Sequence, residues 1–140
     1  MKKSRAFPKD ATSVAAARRF VAEVLPDLPT EAGETVILLV SELVTNAIVH
    51  AESEVKVTVA YRIRSALVRV EVNDGSRTRP IELRPSSTTP HGRGVQLVGA
   101  LSDEWGVRQA RGRSGKTVWF ELSAAPLGPG GKRNLQTSEP

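Results

Sequence analysis

Cysteine is absent from this 140-residue chain, which excludes disulfides, thiol catalysis and any metal site built on thiolates. Histidine is nearly absent: there are two, His50 and His91, too few for the usual zinc ligand sets. Aromatic residues make up only 4% of the chain. The arginines are scattered and no recognised nucleic-acid module is visible, so the formal charge of +5 reads as a solvated basic surface or a pocket for an anionic small molecule. No direct nucleic-acid partner is expected. No unbroken run approaches the roughly 18 apolar residues of a membrane span, so no membrane partner is expected either. The basic start Met1-Lys2-Lys3-Ser4-Arg5 leads into Ala6-Phe7-Pro8-Lys9-Asp10, which is no apolar signal core, and a cytoplasmic location is the default expectation.

What is present suits one soluble domain with a proper core: 39% hydrophobic and 25% charged residues, with no internal repeat. The chain is organised around Ser41-Glu42-Leu43-Val44-Thr45-Asn46-Ala47-Ile48-Val49-His50. At 100° per residue Val36, Val40, Leu43, Val44, Ala47 and Ile48 form one broad apolar helical face, and Leu38, Leu39 and Val49 extend it almost all round. Glu42, Asn46 and His50 stand at i, i+4 and i+8 on one stripe. A carboxylate on such a helix is costly to bury, so the stripe either faces a ligand, a metal or a wet cavity, or is a solvated edge. The helix alone leaves both readings standing.

Along the chain, residues 4 to 9 suggest a short edge strand weakened by Pro8. Thr12 or Ser13 is placed to cap a helix through Val14, Ala17, Phe20, Val21, Val24 and Leu25, ended by Pro26-Asp27-Leu28-Pro29. Thr30 caps the central helix, with Glu31 and Glu34 in its first turn and an end near Ala51. From Glu54 the period becomes two: Val55, Val57, Val59, Tyr61 and Ile63 line one face of a strand, and Val68, Val70 and Val72 line the next. Asp74 is in phase with those valines, so it is either a carboxylate aimed at the buried side or the start of a plain Asp-Gly turn. Residues 76 to 91 are aperiodic, hold Pro80, Pro85 and Pro90 with Arg77, Arg79 and Arg84, and read as a functional loop or lid. Gly92-Arg93-Gly94 then stands directly before a short helix over Val95 to Leu101, a place where backbone N–H groups can approach an anion.

Glu104 to Gln109 and Lys116 to Ser123 read as a closing hairpin, with Val118, Phe120 and Leu122 on one face. Residues 124–140, rich in proline and glycine, read as a disordered tail beyond a domain of residues 1–123. One decoy is set aside. Ala110-Arg111-Gly112-Arg113-Ser114-Gly115-Lys116-Thr117 fits a loosened phosphate-loop pattern, but a strand follows it where that loop needs a helix.

Taken in order, these pieces resemble the GHKL ATP-binding superfamily of gyrase, MutL and sensor histidine kinases, and within it the small anti-sigma-factor serine/threonine kinases. The resemblance is carried by Ser41 to Ala47 with His50, by Asp74-Gly75-Ser76 with Pro80, by Gly92-Arg93-Gly94-Val95 with Leu97-Val98, and by Trp105-Gly106-Val107 with Gly115-Lys116-Thr117-Val118-Trp119. It covers roughly residues 5 to 123. The first glycine box departs from the usual Asp-x-Gly-x-Gly, having Ser76 and no following glycine, a variant similar to that of small single-domain members.

The resemblance implies an α/β two-layer sandwich of the Bergerat ATP-binding type, with a mixed, mostly antiparallel sheet and helices on one face. It implies ATP and Mg²⁺ as cofactors. Asn46 would ligate the metal, and Glu42 would be the catalytic base for the attacking hydroxyl. Asp74, in the box with Gly75, would accept from the adenine amino group, with Thr117 supporting the same pocket. Gly92, Arg93, Gly94 and Val95 would hold the phosphates. His50 is assigned packing and no chemistry. The activity implied is serine/threonine phosphorylation of a small anti-anti-sigma (STAS-type) protein, alternating with capture of a sigma factor by a homodimer. The alternative is a nucleotide-gated module that binds partners without phosphoryl transfer.

Overall fold

The computed structural model describes residues 1–75, 90–109 and 115–125, with the backbone alone for 90–95. The aperiodic loop after Gly75, the turn around Gly112 and the tail beyond residue 125 lie outside the described residues. The elements are β1 (Lys2–Phe7), α1 (Thr12–Val24), α2 (Thr30–His50), β2 (Val55–Arg62), β3 (Leu67–Asn73), α3 (Pro90–Leu101), β4 (Glu104–Gln109) and β5 (Lys116–Ser123). The strands form one five-stranded sheet in the order β1-β2-β3-β5-β4. The two-layer arrangement implied by the resemblance is observed. Every strand pairing is antiparallel, so among the described residues the sheet is not mixed.

The period of two sets the core. In register, Val57 faces Val72, Val59 faces Val70, Val70 faces Phe120 and Val72 faces Val118, so one slip would turn the whole apolar row outward. These side chains are buried under the helices, and each contributes about 1.5–3 kcal/mol when fully covered. Ile63 does not continue the row: β2 ends at Arg62 and Ile63 stands 83% exposed in the following turn. That turn is closed by Ala66, at φ 51°, whose N–H donates to Ile63 O at 3.3 Å.

α2 buries Val36, Leu39, Val40, Leu43, Val44 and Ala47, while Leu38 and Val49 are exposed. The helix therefore does have a water-facing side, although its sequence hardly marks one. By length and mean hydropathy (1.5) α2 would also pass for a membrane span, contrary to the sequence expectation; burial of 44% of that stretch, in the helix the sheet packs against, accounts for part of that apolarity. α1 starts differently from the cap expected. Thr12 N–H donates to Asp10 Oδ1 at 3.3 Å, and the Ser13 hydroxyl turns back to donate to Pro8 O at 2.7 Å. Phe7 and Phe20 meet edge to face at 5.9 Å, fastening β1 to α1. β1 runs from Lys2, earlier than expected, and stops before Pro8. At the other end Ala124 is buried and its N–H donates to Ala66 O at 2.7 Å, so packing reaches one residue past β5.

The outer face of the sheet carries an ion cluster. Arg69 bonds Glu71 and Glu121, each at 2.9 Å, and its guanidinium lies 4.1 Å above the Trp119 ring. Burial pushes the Glu71 carboxyl up, but the bond and charge of Arg69, with the charge of Arg108, outweigh it and hold Glu71 below its ordinary 4.5. A depressed carboxyl stabilises the fold above its unfolded value and loses that contribution as pH falls through its folded value. Glu71→Gln should therefore lower the urea midpoint at neutral pH. The gap to wild type should close below pH 4.5; a gap independent of pH would contradict the cluster's role.

Candidate nucleotide site

Where α2 crosses the ends of β3 and β5, a pocket is lined by Leu43, Asn46, Ala47 and His50 from the helix, Val72 from β3, Asp74 just beyond it, and Lys116 and Val118 from β5. Its polar members are deeply set: Asn46 is 7% exposed, Asp74 and Lys116 2% each. Asn46 and Asp74, far apart in the chain, are thus brought together, and Asp74 does point to the buried side as its phase with the valines required. Both readings of Asp74 hold together: β3 has ended at Asn73 and a turn follows, yet the carboxylate is buried. His50 lines the pocket at the helix end.

Asp74 is held from several directions. Its N–H donates to Lys116 O at 3.2 Å, and Lys116 N–H donates to Asp74 Oδ1 at 3.3 Å. Lys116 Nζ lies 2.8 Å from Asp74 Oδ2, an ion pair aligned too poorly to count as a hydrogen bond. Gly75 follows at φ 64°, its N–H donating to Asn73 Oδ1 at 3.2 Å, a turn that aims Asp74 inward. Opposite it Gly115 sits at φ 109°, so close that a Cβ there would stand 2.9 Å from Gly75 Cα. Gly115→Ala combines a clash against backbone with a conformation that L side chains rarely adopt. It should cost on the order of 1–3 kcal/mol from backbone strain alone. Denaturation in urea checks this, and a midpoint equal to wild type would contradict the close approach.

The remaining sequence candidates divide. Glu42 stands one turn before Asn46 on the same stripe and is half-buried, but it is outside the pocket's lining. Thr117 is on the other face of β5, where its hydroxyl accepts from Asn73 Nδ2 at 3.0 Å. It braces the strand that carries Asp74 and does not line the pocket. Lys116 does line it, and sequence reasoning missed it. The signal was there: Lys116 is in phase with Val118, Phe120 and Leu122. Gly92, Arg93, Gly94 and Val95 lie within the first two turns of α3, not ahead of it, because Pro90 opens the helix, a position proline favours. Their side chains lie outside what the structure describes; α3 itself packs on α2.

The void left between these side chains is about 10 Å³, room for about one water molecule. Its walls, from Leu43, Ala47, Val72 and Val118, are apolar, and the Asp74 carboxylate at its floor is an acceptor of hydrogen bonds. Among the described residues no group of three or more His, Asp or Glu could hold a metal ion, so a cation here would rest on the Asn46 amide oxygen and on groups the ligand brings.

The family model of the histidine kinase-like ATPase domain matches residues 7–122, a span that includes every pocket residue. No curated protein matches the chain. Among solved structures, the histidine kinase domain of the Erythrobacter litoralis EL346 blue-light activated histidine kinase is 25% identical, with a TM-score of 0.58 over 84% of this chain and 62% of that one. A second structure, of the Erythrobacter litoralis EL346 blue-light activated histidine kinase, is 23% identical, with a TM-score of 0.59 over 92% of this chain and 43% of that one, and shows likeness of fold. The chain thus spans less than two thirds of either structure. By the match of the family model to most of its length, this chain belongs to the histidine kinase-like ATPase domain family, within the GHKL superfamily.

Proposed function

We propose that this chain is an ATP- and Mg²⁺-dependent serine/threonine protein kinase of the anti-sigma type, acting in the cytoplasm. Its substrate would be a STAS-type anti-anti-sigma protein, and it would hold a sigma factor as a homodimer when that substrate is absent. The observation that carries the nucleotide half of this reading is the meeting of Asn46 and Asp74 in one apolar-walled pocket. Bound Mg-ATP supplies the phosphoryl group. The chain's own residues do the positioning: Asp74 accepts from the exocyclic amine of the base, and the Asn46 amide oxygen faces the cation. Glu42, one turn away, takes the proton of the incoming Ser or Thr hydroxyl. Residues 92–95 lie in the first two turns of α3, a helix whose first-turn N–H groups and dipole favour phosphate.

One observation favours a second reading. Glu42 is outside the pocket's lining, as befits a module that binds ATP and partners but transfers nothing. Incubation with Mg-ATP and candidate STAS partners separates the two. The kinase reading expects a single phosphate on a Ser or Thr of the partner; intact ATP and unmodified partner after prolonged incubation would overturn it.

A further inference from the structure

The Lys116 side chain fills the place where a base would meet Asp74. It is 2% exposed, its ammonium lies 2.8 Å from Asp74 Oδ2, and the void left beside it holds no more than a water. A purine cannot enter unless something yields, and a lysine stem with four rotatable bonds yields most easily. An ammonium this deeply desolvated does not simply leave for solvent, because Asp74 would then face the pocket as a buried anion. A carboxylate has about four lone-pair sites and an ammonium three donors, so Asp74 can keep Lys116 while accepting from a ligand amine as well.

Together the two groups present an acceptor beside a donor. The edge of adenine presents the complement, the 6-amino donor beside the N1 acceptor. Guanine presents the reverse pattern at the same two places, an oxygen toward Asp74 and an N–H toward Lys116. Resting on the nucleotide reading proposed above, we infer that Lys116 is a specificity-determining residue: with Asp74 it reads the adenine edge by donating from Nζ to N1. Thr117, on the far face of β5, cannot supply this contact. A site that offers a buried donor rejects an analogue without the acceptor, because the donor is left unpaired.

The test is calorimetric titration of the whole chain with ATP and with 1-deaza-ATP, in which a C–H replaces N1. Wild type should bind 1-deaza-ATP about tenfold or more weakly, the size of a charge-assisted hydrogen bond. In Lys116→Met the ratio should fall close to one, in Lys116→Gln it should fall part of the way, and in Lys116→Arg it should persist. The same ratio in wild type and Lys116→Met, or tighter binding of both nucleotides by Lys116→Met with no ratio in wild type, would overturn the inference and leave Lys116 as a plug. If Lys116→Met does not fold, a wild-type ratio near one, or an unchanged ratio in Lys116→Gln, overturns it equally. Failure of wild type to bind either nucleotide would instead defeat the nucleotide reading itself.

Discussion

Asp74→Ala should destabilise the fold by about 3–5 kcal/mol, the cost of stripping one member from a buried ion pair. Lys116 and Asp74 have side chains only 2% and 3% exposed, so water can take over little of the lost interaction. One further bond goes as well: Lys116 N–H loses Asp74 Oδ1. The double variant Asp74→Ala with Lys116→Met should recover most of the loss, since replacing both charges by apolar groups removes the desolvation problem. Urea midpoints of the single and double variants check this. A single variant as stable as wild type, or a double variant less stable than the single, would show that the pair is not the buried unit described.

Glu42→Gln should lower phosphoryl transfer to a STAS partner by about 100- to 10,000-fold while leaving ATP affinity within a few-fold of wild type. The reasoning is positional. Glu42 and Asn46 are one turn apart on α2, with Cβ atoms roughly 5–6 Å from each other. On the proposed reading Asn46 would hold the cation, and a carboxylate at that distance from it would reach a hydroxyl aimed at the terminal phosphate. Being outside the pocket's lining, Glu42 contributes nothing to holding the base. Glutamine keeps the shape and the hydrogen-bonding reach but cannot take a proton. Initial rates and nucleotide titrations on the same variant separate the two effects. Transfer unchanged in Glu42→Gln removes it as the base, and affinity lost in step with rate makes it a binding residue.

Much of this was legible because periodicity is a local property. The valine rows of β2 and β3, the apolar face of α2 and the inward phase of Asp74 follow from residue spacing alone, and the structure places them so. What the sequence hid depends on partners far along the chain. Lys116 opens the closing strand with no site role in the sequence reading, because an inward lysine looks costly until Asp74 is seen 2.8 Å away, across 42 residues of sequence. Thr117 was placed in the pocket by resemblance, whereas the alternation of β5 puts it beside Asn73. The extra turn of α3 was signalled by Pro90, yet prolines before it made the whole stretch look like loop. Exposed Leu38 and Val49 on α2 show the limit of reading burial from apolarity: the sheet covers only one side of a helix that is apolar on most.

The most direct test of the pocket's purpose is an isothermal titration of ATP into wild type and into Asp74→Asn, each with and without Mg²⁺. Asparagine keeps the size of the side chain but offers an amide to the exocyclic amine and to Lys116. Saturable binding by wild type, strengthened by Mg²⁺ and weakened at least about tenfold in Asp74→Asn, is the expected result. Equal affinity in the two proteins, or no heat of binding in wild type, would contradict the assignment of this pocket to the base of ATP.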